Sequence, residues 1–130
     1  MKIIGREKEK AALTQYHDSG VPEFLVVYGR RRIGKTFLIR EYFDGKFDFY
    51  VTGLASGKKE AQLHVWNDAI GESFSGAFDR ASNWLDAFAL LKGKLEKLNK
   101  SKRKTVFIDE APWMDTPKSG FLTALEHFWN

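Results

Sequence analysis

Gly29-Arg30-Arg31-Arg32-Ile33-Gly34-Lys35-Thr36 is the stretch on which the reading of this 130-residue chain turns. It fits the pattern G-x-x-x-x-G-K-[ST], whose successive main-chain N–H groups cradle phosphate. Its surroundings match what that chemistry needs. Phe24-Leu-Val-Val-Tyr28 is a short continuous apolar run that reads as a buried strand, and Phe37-Leu-Ile-Arg-Glu-Tyr-Phe43 reads as a helix with one apolar face. Gly29 and Gly34 can take backbone angles closed to other residues, so the chain can curl around an anion. The amides of Ile33 to Thr36 then face that anion from the first turn of a helix, whose unpaired donors and dipole favour negative charge. Lys35 would supply the counter-charge for the β- and γ-phosphates, and Thr36 a hard hydroxyl oxygen for Mg²⁺.

A second element lies downstream. Lys104-Thr-Val-Phe-Ile-Asp109-Glu110 is a β-rich apolar run ending in two acids. A buried parallel strand that delivers carboxylates at its C-terminal end places them in the ligand crevice of an open α/β sheet. Asp109 is the candidate for the Mg²⁺ shell and Glu110 for the general base that polarises an attacking water.

Taken with Ile4-Gly5-Arg6-Glu7 and Phe107-Ile-Asp-Glu-Ala-Pro-Trp113, these segments make the chain resemble the N-terminal part of a P-loop ATPase of the AAA-like or STAND-like kind, common in archaea and bacteria. The resemblance implies an Mg²⁺-dependent ATPase, with ATP and Mg²⁺ as cofactors. Phosphate binding falls to Gly29, Arg30, Arg31, Arg32, Ile33, Gly34, Lys35 and Thr36, metal binding to Thr36 and Asp109, and catalysis to Glu110. It also makes Ile4, Gly5 and Arg6 candidates for contact with adenine, the other reading of these residues being the approach to a helix. In that family a further strand, carrying a polar sensor residue, lies between the phosphate-loop strand and the Asp-Glu strand. This sequence reaches Asn130 without it and without a later arginine. The expectation is therefore one incomplete P-loop domain over residues 1–130, with weak or absent hydrolysis. The alternative is a non-hydrolysing nucleotide-binding or interaction fragment.

That expectation has a structural corollary. With the family's strand order, the two motif-bearing strands would flank an empty slot whose unpaired N–H and C=O groups are costly. The strands would pair directly or recruit a strand from elsewhere. Dimerisation or strand exchange is the expected outcome.

The remaining segments predict an α/β parallel sheet with helices on both faces. Glu7 to His17 reads as a helix closed by Asp18-Ser-Gly20 and Pro22, and Phe47 to Thr52 reads as a strand. Lys58 to Phe74 places Leu63, Trp66, Ile70 and Phe74 on one helical face. Asn83 to Leu98 does the same with Trp84, Phe88, Leu91, Leu95 and Leu98, and Pro117 to Trp129 gives a last helix.

Composition bounds the rest. There are no cysteines, and His17, His64 and His127 show no metal-ligand spacing. No long apolar run or secretory leader is present, so a cytoplasmic protein without membrane contact is expected. The net charge of +4 is concentrated at Arg30–Arg32 and over Lys92–Lys104. The second run is either a nucleic-acid contact or a solvated helix face followed by a linker.

Overall fold

The computed structural model describes residues 2–4, 24–29, 47–98 and 104–129. Four strands are present among them: β1 (Lys2–Ile4), β2 (Phe24–Gly29), β3 (Phe49–Thr52) and β4 (Lys104–Asp109). All neighbours pair parallel, in the order β1-β2-β4-β3. Parallel neighbours require crossovers, and the long connections between these strands supply them. The helices expected at Glu7–His17 and Phe37–Phe43 lie outside the described residues.

At its centre the sheet departs from the family's strand order and takes the first of the two expected arrangements, direct pairing. β2 and β4 are hydrogen-bonded neighbours along their whole length, from Phe24 opposite Lys104 to Gly29 opposite Asp109. There is no empty slot between the motif-bearing strands. The physical reason is the cost of leaving two rows of buried main-chain donors and acceptors unpaired, which direct pairing removes. An unfilled gap is therefore no longer a reason for dimerisation or strand exchange.

The helices follow from apolar spacing. α1 (Lys59–Ser73) buries Leu63, Trp66 and Ile70 and half-buries Phe74; α2 (Trp84–Glu96) buries Trp84, Phe88, Leu91 and Leu95. Both match the expected faces within a residue or two. α2 starts at Asn83, whose Oδ1 accepts from Asp86 N at 2.8 Å while its Nδ2 donates to Asp86 Oδ2 at 3.0 Å. That reciprocal cap satisfies one of the helix's orphan donors. The last helical region differs from its expectation. A short α3 (Ala111–Met114) follows Glu110 directly, and α4 (Phe121–Trp129) begins four residues later than Pro117. Lys118 and Gly120 both have positive φ (57° and 78°), so the segment 117–120 turns before the helix can start.

One core joins these pieces. Phe49 and Val51 of β3 and Val106 and Ile108 of β4 point to one side, where they meet α1, α2, α3 and α4. Trp66 is its centre: its ring lies 5.0 Å from Phe49, 4.7 Å from Phe88 and 5.4 Å from Trp84, and its Nε1 donates to Ala87 O at 3.0 Å. On the opposite side, Phe107 stacks on Tyr50 at 5.2 Å and tilts against Phe47 at the same separation. The described helices cover the first of these faces, and the expected helices Glu7–His17 and Phe37–Phe43 lie outside the described residues.

The connection from α1 to α2 is fastened at two points. Asn67, buried on α1, donates to Ala81 O at 3.0 Å and accepts from Ala81 N at 2.8 Å. Lys94 of α2 donates to Ser75 O at 3.1 Å, with its ammonium 5.5 Å from the centre of the Phe78 ring. Replacing Asn67 with Ala orphans the Ala81 N–H and should cost about 1–3 kcal/mol. A drop in the urea midpoint with unchanged slope is the expected result. An unchanged midpoint would mean that Asn67 does not hold this connection.

Candidate functional site

Parallel pairing brings three strand ends to one edge of the sheet. Asp109 closes β4 opposite Gly29 of β2 on one side and Thr52 of β3 on the other. The main chain of the next residue extends this alignment, with Gly53 N donating to Asp109 O at 2.9 Å. The edge is the carboxyl end of every strand, where open α/β sheets bind their ligands.

Of the residues expected to bind phosphate, Gly29 is described as the last residue of β2. Arg30, Arg31, Arg32, Ile33, Gly34, Lys35 and Thr36 lie outside the described residues, as do Gly5 and Arg6. Ile4 ends β1. The sequence pattern therefore continues from a point level with Asp109.

Asp109 is buried, 3% exposed, at the end of a strand whose six residues are all buried. Its Oδ1 accepts from the Glu110 amide at 3.0 Å. A carboxylate oxygen is a hard donor of the kind Mg²⁺ selects. Among the described residues, no three His, Asp or Glu side chains gather into a metal cage.

Glu110 carries the sharpest backbone feature at this edge. Its φ of 58° and ψ of 34° place it in the left-handed region, which costs a residue with a Cβ about 1–2 kcal/mol. The left-handed step turns the chain from β4 straight into α3, where Pro112 occupies the first turn. The half-buried Glu110 is held there by its neighbours. Its carbonyl accepts from Trp113 N at 3.0 Å and its Oε2 from Trp113 Nε1 at 3.0 Å.

Two residues at this edge went unnoticed in the sequence, Gly53 and Gln62, and Trp113 was noticed only as the end of the Phe107–Trp113 motif. A Cβ on Gly53 would lie 2.5 Å from Glu110 O and 3.3 Å from Trp113 Cβ, so only glycine lets β3 end against this turn. Gln62, fully buried on α1, accepts from Leu54 N at 2.9 Å. It also donates to Leu54 O at 2.7 Å and to Gly57 O at 2.9 Å. One amide side chain thereby satisfies the turn that leaves β3. The paired glycines at 53 and 57 and the Glu110/Trp113 spacing of three are visible in the sequence, but they acquire meaning only once β3 lies beside β4.

The basic run is less available than its sequence suggests. Lys94 and Lys104 are buried, 8% and 5% exposed, and Lys94 is engaged with Ser75 and Phe78. Lys92 and Lys97 are exposed, while Lys100, Lys102 and Arg103 lie outside the described residues. Among the described residues, no helix is long and apolar enough to cross a membrane.

Comparison with known proteins adds one relative. A 48-residue segment is 44% identical to an uncharacterized protein of Methanocaldococcus jannaschii, covering 37% of this chain and 11% of that protein. No protein family profile matches the chain. No solved structure matches it.

The glycine geometry yields a paired prediction. Gly53→Ala forces the β3 end away from Glu110 and should lower stability by about 1–3 kcal/mol. Gly93→Ala, inside α2 with open space around its Cα, should raise stability by about 0.5–1 kcal/mol. Thermal denaturation of both variants checks this, and equal melting temperatures would contradict the close approach at Gly53.

Proposed function

We propose that this chain is an ATP-binding module of the AAA-like or STAND-like P-loop kind. The observation that supports it most is the register of β2 and β4. Gly29, where the phosphate-loop pattern begins, lies directly opposite Asp109, where the acidic pair begins. Two motifs far apart in sequence thus start side by side at the ligand-binding edge of a parallel sheet. The match to G-x-x-x-x-G-K-[ST] after a strand supplies the rest.

In this reading the triphosphate is held by the main chain of Gly29 to Thr36, with Lys35 as its principal cation and Arg30, Arg31 and Arg32 raising the local positive potential. Mg²⁺ would be held by the Thr36 hydroxyl and by Asp109, the latter through water, and would neutralise charge on the phosphate oxygens. Glu110 then stands next to the metal ligand as the group that orients and deprotonates water. Preference for ATP over GTP rests on the resemblance, since the sequence has no N-K-x-D motif.

Slow turnover belongs to the same proposal. β2 and β4 are direct neighbours, so the described sheet has no intervening strand to present a polar sensor between Gly29 and Asp109. Binding with little hydrolysis is the form of the function that this arrangement favours. Nucleic-acid contact through Lys92–Lys104 is a secondary proposal, weakened by the burial of Lys94 and Lys104.

Calorimetric titration with ATP, with and without Mg²⁺, tests the reading. The chain should bind Mg²⁺-ATP, and Lys35→Ala should weaken binding about tenfold to a hundredfold by removing a charged contact. Unchanged affinity in that variant, or no binding by the parent chain, would refute the phosphate-loop assignment. Steady-state hydrolysis should be slow; robust turnover abolished by Glu110→Gln would refute the non-hydrolysing form.

A further inference from the structure

We propose that Trp113 is a positioning residue for Glu110, holding its carboxylate through the indole N–H; this rests on the reading of Glu110 as the water-orienting group.

The argument begins with how differently the tryptophans are used. Trp66 and Trp84 are almost completely buried and serve the core. Trp113 is 41% exposed. A large aromatic left that far in water contributes only part of its burial energy. What it does contribute is directional. Its Nε1 donates to Glu110 Oε2 at 3.0 Å, a bond to an ionised acceptor and so stronger than a neutral one.

The backbone makes that bond hard to lose. Glu110 sits in the left-handed region, and Trp113 N closes the turn onto Glu110 O at 3.0 Å. The two residues are thus locked three apart around one tight corner. Gly53 walls the corner from the β3 side, close enough that any Cβ there would strike the Glu110 carbonyl. Gly53 is fixed in turn by its bond to Asp109 O, and the following turn is fixed by Gln62. With the main chain pinned, the freedom left to Glu110 is in its side chain. The indole N–H restrains that freedom.

A carboxylate that must meet a water molecule gains from being held in one rotamer before the ligand arrives. Indole is suited to this because it donates a hydrogen bond to the carboxylate and cannot take up its proton. A purely packing role for Trp113 would instead call for burial of the ring.

The test is a ¹H–¹⁵N spectrum of the whole chain, read at the tryptophan indole N–H resonances. Trp113→Phe identifies the Trp113 signal by its loss, and the remaining dispersion reports whether the variant stays folded. In Glu110→Gln, where the indole N–H faces an amide in place of the carboxylate, that signal should move to a new position. A Trp113 signal indifferent to Glu110→Gln overturns the proposal. Addition of Mg²⁺-ATP then separates the two readings. A shift of the Trp113 signal supports both. A signal coupled to Glu110 yet unmoved by Mg²⁺-ATP supports the indole–carboxylate restraint and contradicts the nucleotide reading.

Discussion

The parallel seam between β2 and β4 is the constraint on which the rest depends. Six residues of each strand pair in unbroken register, ending with Gly29 beside Asp109. Parallel strands buried among other strands must satisfy every main-chain group from a neighbour. Because these two satisfy each other, the start of the glycine-bounded loop pattern and the paired acids are level. A slip by one residue would turn Asp109 to the other face of the sheet, toward the side that carries Val106 and Ile108 into the core.

Around that seam, the third strand end acts as a brace. β3 delivers Gly53 against the Asp109–Glu110 peptides, and Gln62 of α1 holds the turn that follows. The brace rests on the core itself. Leu63 and Trp66, one position and four positions after Gln62, pack into the cluster of Phe49, Phe88 and Leu91. Stability and site geometry therefore share residues on α1. The left-handed Glu110 is tolerated because its carbonyl and carboxylate are both bound by Trp113, which offsets the cost of the conformation.

Much of this was readable in the sequence, for physical reasons that can be named. Phe24–Tyr28 and Thr105–Asp109 are continuous apolar runs of strand length, and Leu63, Trp66 and Ile70 repeat with the helical period; such patterns arise from local burial and need no knowledge of the partner. Lys2–Ile4 was missed as a strand because three residues carry no period. α3 was missed because four residues after an acidic pair look like a turn, and α4 was begun too early because Pro117 resembles a helix start until Gly120 is seen at positive φ. Strand order was not legible at all. The resemblance implied a gap at the seam, and the demand for main-chain partners closed it. Asp109 and Glu110 could be picked out as acids ending an apolar strand. Gly53 and Gln62 could not, because their roles exist only where β3 and β4 lie side by side; Trp113 stood in the quoted Phe107–Trp113 motif, without its contact to Glu110. Lys94 shows the converse, a residue that reads as part of a basic run and folds inward onto Ser75 and Phe78.

The central claim is that one edge of this sheet, where Gly29, Asp109 and Gly53 converge, is the place that meets a nucleotide. Mapping main-chain amide shifts on addition of Mg²⁺-ATP addresses it most directly. The account predicts that the amides of Gly29, Gly53 and Glu110 move together, while those of Asp48 and Thr105 at the opposite end of the strands stay in place. Shifts centred on the Asp48 end, or none at all, would contradict it.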